Sequence, residues 1–170
     1  MSAREPLVRL LSAAESERYS DFFAAGAQAH PDTLRIAPED IECAPFSTAA
    51  TDDSATFVAE AGDGSWLGVC TVERERGRLK RRHVAWLVRM YVTAHVAGRG
   101  VGRALLERAM ARAAAMPGIA KVNLTVAAHN AAAIHLYESV GFRTFSREED
   151  AFRDPESRTE LSMSAVVREG

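Results

Sequence analysis

The chain has 170 residues, 47% hydrophobic and 26% charged, which suffices for one sizeable core and suits a single domain over residues 1–170 better than two. Its formal net charge of −2 argues against nucleic acid or an anionic membrane as a bulk electrostatic partner, so any working basic patch must be local. Cys43 and Cys70 are too few and too far apart for a disulfide framework or a zinc pattern, and no apolar run approaches the roughly 18 residues of a membrane span.

The opening "MSAREPLVRLL" lacks the apolar core of a secretory signal, and the chain is read as cytoplasmic. "PLVRLL" predicts a short strand, and Ser12 an N-cap for a helix through "AAESERYSDFFAAGAQ" that stops at His30-Pro31. A short helical piece is expected near Pro38 to Ala44, and "STAATDDS" reads as a loop. "ATFVAEAGDGSWLGVCTVE" predicts a hairpin turning at Gly62-Asp63-Gly64. The near-continuous apolar run "HVAWLVRMYV" predicts a central strand covered on both faces. A helix of about four turns follows, ending before Pro117-Gly118, then the strand "KVNLTV" and a helix from Asn130 to Val140 closed by Gly141. "FRTFSRE" and "TELSMSAVV" supply two last strands, completing a mixed α/β order.

Three glycines, Gly98, Gly100 and Gly102, stand between the buried strand and the long helix. The first amides of a helix have no intrahelical partners and the helix dipole makes that end partly positive, so glycines there let an anion such as phosphate approach the main chain. A plain strand-to-helix turn is the competing reading. The spacing excludes a nucleotide-triphosphate loop, which needs a lysine after its last glycine. It also excludes G-x-G-x-x-G, since the sixth place holds Arg103 or Leu105 in the two possible frames.

"LVRMYVTAHVAGRGVGRALLERAM", followed after a strand by "AAHNAAAIHLYESVGF", resembles the GNAT superfamily of acetyl-CoA-dependent N-acetyltransferases over about Thr56 to Phe142. The resemblance implies a mixed α/β fold: a mainly antiparallel twisted sheet of about six or seven strands, about four flanking helices, and a splay between the fourth and fifth strands. Where that family has Gln or Arg to open the loop this chain has Ala97, which keeps the backbone amide and drops a side-chain contact. By resemblance, Gly98, Arg99, Gly100, Val101, Gly102 and Arg103 wrap the pyrophosphate of acetyl-CoA, and Met90, Tyr91 and Val92 offer main-chain hydrogen bonds to its pantetheine arm. No metal is implied.

Asn130 suits a helix N-cap on its own account, and Tyr137, two turns on and on the same helix face, suits a core tyrosine with its hydroxyl at the edge. The resemblance adds further roles: Asn130 to hydrogen-bond the pantetheine, Ala133 among small residues that let the cofactor lie close, and Tyr137 to meet the thioester sulfur and assist the departing thiolate. An amine attacks only when neutral, so a base is required, and the resemblance implies that a main-chain N–H of the splayed strand, that of Val92, takes the tetrahedral oxyanion. Transfer is then direct, without a covalent role for Cys43 or Cys70.

The base is left open. Members of the family that acetylate ribosomal-protein N-termini carry a Glu five residues before the Asn, where this chain has Thr125. Glu73, His83 and His135 are the candidates, with a base acting through water also open. The resemblance places the acceptor at "AHPDTLRIAPED" and "SREEDAFRDPESR" without naming its amine, and a homodimer is left open. Two rivals from other classes stand beside the enzyme: a non-catalytic CoA-binding or sensory module, and a nucleic-acid protein using the basic segment "RERGRLKRRH", which lacks the interleaved aromatics that stack on bases.

Overall fold

The computed structural model describes residues 6–167. Strand β1 (Leu7–Leu10) leads through a 3-10 turn into helix α1 (Ser16–Ala29), and the short helix α2 (Pro38–Cys43) follows. Strands β2 (Ser54–Glu60), β3 (Trp66–Arg74) and β4 (Val84–Val92) form a meander. Helix α3 (Val101–Ala115), strand β5 (Lys121–Ala127) and helix α4 (Ala131–Ser139) come next, and the hairpin β6 (Arg143–Asp154) with β7 (Glu156–Val166) ends the series. The strands make one sheet in the order β1-β2-β3-β4-β5-β7-β6, antiparallel at every pairing except β4 with β5. That pair is parallel because α3 carries the chain back across the sheet.

The element boundaries have local causes. Ser12 marks the expected start but caps the 3-10 turn, its amide and hydroxyl donating to the Glu15 carboxylate at 2.9 and 3.2 Å. Pro38 opens α2, where its missing N–H costs nothing. At the hairpin turn Gly64 takes φ 83° and the Ser65 amide donates to Asp63 at 2.9 Å. The last two strands run longer than the apolar pattern predicts, 12 and 11 residues, because the polar segment "SREEDAFRDPESR" continues as a hairpin past the body of the sheet.

Alternation along the strands gives the sheet two buried faces. One face, including Phe57, Cys70, Leu87, Leu124 and Met163, packs under α3 and α4 through Leu105, Leu106 and Tyr137. The other, including Val58, Val69 and Trp66, packs under α1 and α2 through Tyr19, Phe23 and Ile41. Each large side chain buried this way stabilises by about 1.5–3 kcal/mol. Tertiary burial therefore outweighs the marginal stability of an isolated helix as short as α1.

The fourth and fifth strands pair only over Val84–Trp86 with Lys121–Asn123, and beyond that register they part. In the same stretch β4 carries a bulge: Val69 pairs with Tyr91 and Thr71 with Val88, so Cys70 alone faces Arg89 and Met90, and Arg89 takes the left-handed φ of 52°. Cover on both faces holds for Val84, Ala85 and Leu87 but not for Val88 to Val92, which are half-buried. The apolar run identifies a central strand; the departure of β5 uncovers its second half.

Candidate functional site

The three glycines do different jobs. Gly98 and Gly100 sit at φ 76° and 82°, which L side chains rarely adopt, and an added Cβ at either would meet open space. Gly102 is ordinary helix, but a Cβ there would stand 3.1 Å from Leu136 and 3.6 Å from Met90, so its glycine serves the close packing of α3 on α4 and β4. Val96 and Val101 are buried and anchor the turn from below. The first intrahelical bond is donated by Ala104 to the Gly100 carbonyl at 3.0 Å. The amides of Val101, Gly102 and Arg103 therefore point out of the helix end with no backbone acceptor among the described residues, a ready seat for an anion. Arg99 is exposed beside them, and Arg103 donates to the Ser139 hydroxyl at 2.9 Å, linking α3 to α4.

This helix end opens beside the gap between β4 and β5. On the β4 side lie Met90, Tyr91 and Val92, whose edge away from β3 has no strand partner. Met90 and Val92 turn toward α3. Tyr91 turns toward α1, where its ring packs on Phe22 and His30 and occupies the space a side chain at Gly26 would need. On the α4 side, Asn130 is the N-cap, its Oδ1 accepting from the Ala133 amide at 3.3 Å. Tyr137 is 6% exposed and packs edge-on against Phe142, with ring centroids 5.9 Å apart. Burial, and secondarily the nearby Cys70, push its hydroxyl well above the ordinary tyrosine range, so it stays protonated and available as a donor. Burial likewise pushes the Cys70 thiol up to about 12, which makes it a poor nucleophile.

The opposite face of the gap carries polar groups that the sequence pattern does not single out. Asn123, Thr125 and Ala127 of β5 lie beside Ser164, Ser162 and Glu160 of β7 on the α1 side of the sheet. Glu160 is the only carboxylate buried among the described residues, and it accepts from Arg35 Nη1 at 2.8 Å. Burial pushes its carboxyl above the usual range; Arg35 and the Thr125 hydroxyl pull against that shift, and Glu148 on β6 adds to it. Asn123 Oδ1 is buried without a hydrogen-bond partner among the described residues. Arg35 also lines a cavity of about 600 Å³ bounded by Gln28, Pro31, Phe152 and Asp154. The two segments read as an acceptor region thus meet at one cavity.

The base candidates read from the sequence lie elsewhere. Glu73 pairs with Arg89 at 3.3 Å and sits across from Trp86, at the closed apex of the gap. His83 precedes β4 at the closed end, where its carbonyl accepts from Ala120, and His135 is exposed on α4. The basic segment forms a loop with a 3-10 turn at Leu79–Arg81, in which Arg81 is bound to Glu75. Among the described residues no group of three His, Cys, Asp or Glu is placed to hold a metal ion.

The acetyltransferase (GNAT) family model matches residues 13–142. Among solved structures, the chain is similar to a GNAT-family acetyltransferase from Streptococcus pneumoniae, with 22% identity, 96% of this chain and 100% of that one covered, and a TM-score of 0.82. A GCN5-related N-acetyltransferase from Kribbella flavida shares 26% identity over 97% of this chain and 99% of that one, at a TM-score of 0.79. A GNAT-superfamily phosphinothricin acetyltransferase from Sinorhizobium meliloti, solved in complex with acetyl-CoA, shares 19% identity over 98% and 90%, at a TM-score of 0.80.

Proposed function

Because the chain belongs to the GNAT acetyltransferase family, we propose that it moves an acetyl group from acetyl-CoA directly to a primary amine of a small molecule or peptide, as one cytoplasmic domain over residues 1–170. The observation that carries this reading is the gap between β4 and β5, flanked by the open amino end of α3 on one side and by Tyr137 beneath it. The donor supplies an activated acetyl thioester.

The rest is work for the chain's own groups. The free amides of Val101, Gly102 and Arg103, with Gly98 and Gly100 holding the turn open and Arg99 adding charge, bind the diphosphate. The unpaired edge of Met90, Tyr91 and Val92 binds the pantetheine amides as an extra strand would. Asn130 has its Oδ1 committed to the α4 cap, which leaves its NH₂ group for the pantetheine, and Ala133 keeps that side of the channel low. The Val92 amide donates to the oxyanion, and Tyr137, held protonated by burial, donates to the leaving sulfur.

The test is an acceptor screen reading free thiol release from acetyl-CoA with small amines, polyamines, aminoglycosides, amino acids and peptides. Release above the no-acceptor rate with at least one amine is the expected result. Binding of acetyl-CoA without turnover on any amine would replace the enzyme reading with a CoA-binding module.

A further inference from the structure

We propose that Glu160 is the general base that takes the proton from the incoming amine, directly or through one water, on the face of the sheet opposite Tyr137. This rests on the amine-acetylation reading above. Position carries it. The gap widens from Trp86 and Asn123 toward Val92 and Ala127, and Glu160 lies directly across from Ala127, at the wide end and behind the smallest side chain on that edge. Glu73, on β3 on the other side of the gap, stands across from Trp86 at the closed apex.

The surroundings agree. Asn123, Thr125, Ser162 and Glu160 form a polar strip along β5 and β7 on the α1 face of the sheet, and buried polar groups require hydrogen-bonding partners. Arg35 joins the strip to the cavity between α1 and the β6–β7 hairpin, so an amine reaching down from that cavity meets Glu160 before the gap. Three groups on the neighbouring elements face the Glu160 carboxylate: Arg35 from the α1–α2 connection, Thr125 from β5 and Glu148 from β6.

The proton balance closes. Glu160 takes one proton from the ammonium, the freed nitrogen lone pair forms the C–N bond as the carbonyl opens to the oxyanion at the Val92 amide, and collapse of that oxyanion breaks the C–S bond. Tyr137 gives its proton to the departing sulfur and recovers one from the acylated nitrogen through solvent, and Glu160 then releases its proton to bulk water. Base and acid work from the two faces of the sheet, so neither blocks the other's reactant.

The experiment is the pH dependence of kcat/KM for wild type, Glu160→Gln and Arg35→Ala with the best acceptor, alongside calorimetric titration of acetyl-CoA. Glu160→Gln is expected to lose about 10²- to 10⁴-fold in kcat/KM at pH 7 while binding acetyl-CoA within about threefold of wild type. Its rate should rise about tenfold per pH unit toward the amine's own pKa, where only free amine reacts, and so approach the wild-type curve. Arg35→Ala, which removes a cation that favours the charged carboxylate, should move the acidic limb of the profile to higher pH with acetyl-CoA affinity unchanged. A Glu160→Gln enzyme at the wild-type rate, or one slowed by the same factor at every pH, overturns the assignment. So does an Arg35→Ala limb that does not move. A wild-type protein that acetylates no amine would overturn the acetylation reading as well, which separates the two failures.

Discussion

At the scale of single residues, Gly100 and Tyr137 carry the sharpest expectations. Gly100 caps α3 in the left-handed region with open space beside it, so Gly100→Glu adds backbone strain of about 1–2 kcal/mol together with a negative charge at the proposed diphosphate seat. The folded variant should bind acetyl-CoA at least about tenfold more weakly, about 1.4 kcal/mol, and lose most of the ligand-induced rise in melting temperature. Tyr137→Phe keeps the ring and its contact with Phe142 but removes the hydroxyl that burial holds protonated. If that hydroxyl acts chiefly in the transition state, kcat and kcat/KM fall together by about a hundredfold while acetyl-CoA affinity changes by less than about tenfold. A tyrosine that only fills the core predicts the reverse: a lower melting temperature with turnover per folded molecule unchanged.

At the scale of elements, α1 is pressed against β4 at one point. A Cβ at Gly26 would lie 2.6 to 2.8 Å from the Tyr91 ring, closer than side chains pack. Gly26→Ala would gain about 1 kcal/mol of helix propensity in an open helix. Here the ring must move, and overpacking costs about 1–3 kcal/mol, so urea denaturation should find the variant destabilised. The Tyr91 strand edge lines the gap, and acetyl-CoA binding should weaken in parallel. A second contact ties β1, the 3-10 turn and β2: Arg9 binds Glu15 at 2.8 Å and Glu60 at 2.7 Å. The Arg9 side-chain bonds first, and the Ser12 amide next, hold the Glu15 carboxyl down to about 2 from an ordinary 4.5. A carboxylate depressed in this way adds stability that is present above pH 4.5 and lost as pH falls toward about 2. Arg9 is about one-third exposed, which limits the pair to about 1 kcal/mol. Glu15→Gln should therefore unfold at slightly lower denaturant than wild type at pH 7, with the difference closing as pH approaches 2.

At the scale of the whole molecule, most of the frame is legible in the sequence, and so is the cofactor side of the candidate site. Period and punctuation reveal β2, β3, α3, β5 and α4, because apolar alternation, glycine and proline act locally. The cofactor side is legible for the same reason: a helix end with unpartnered amides is a short-range feature written in consecutive residues. The acceptor side is not. Glu160 sits in "TELSMSAVV" on the polar parity of its strand, where local pattern predicts solvent, but it is buried between β5 and β6 and bonded by Arg35, 125 residues away. The two strands nearest the chemistry illustrate the same limit, since the apolar run of β4 says nothing about where β5 leaves it. The division of labour among Gly98, Gly100 and Gly102 also needs three dimensions, because only contact with Leu136 separates packing from backbone conformation.

The most direct measurement quantifies free CoA thiol and acetylated acceptor from the same reaction, for wild type and for folded Gly100→Glu, with the amine the acceptor screen selects. Wild type should release one thiol per acetylated amine, and at subsaturating acetyl-CoA folded Gly100→Glu should run slower by at least about the tenfold lost in binding. Thiol release without an acetylated amine, or a Gly100→Glu protein that keeps the wild-type rate, would contradict the proposed function.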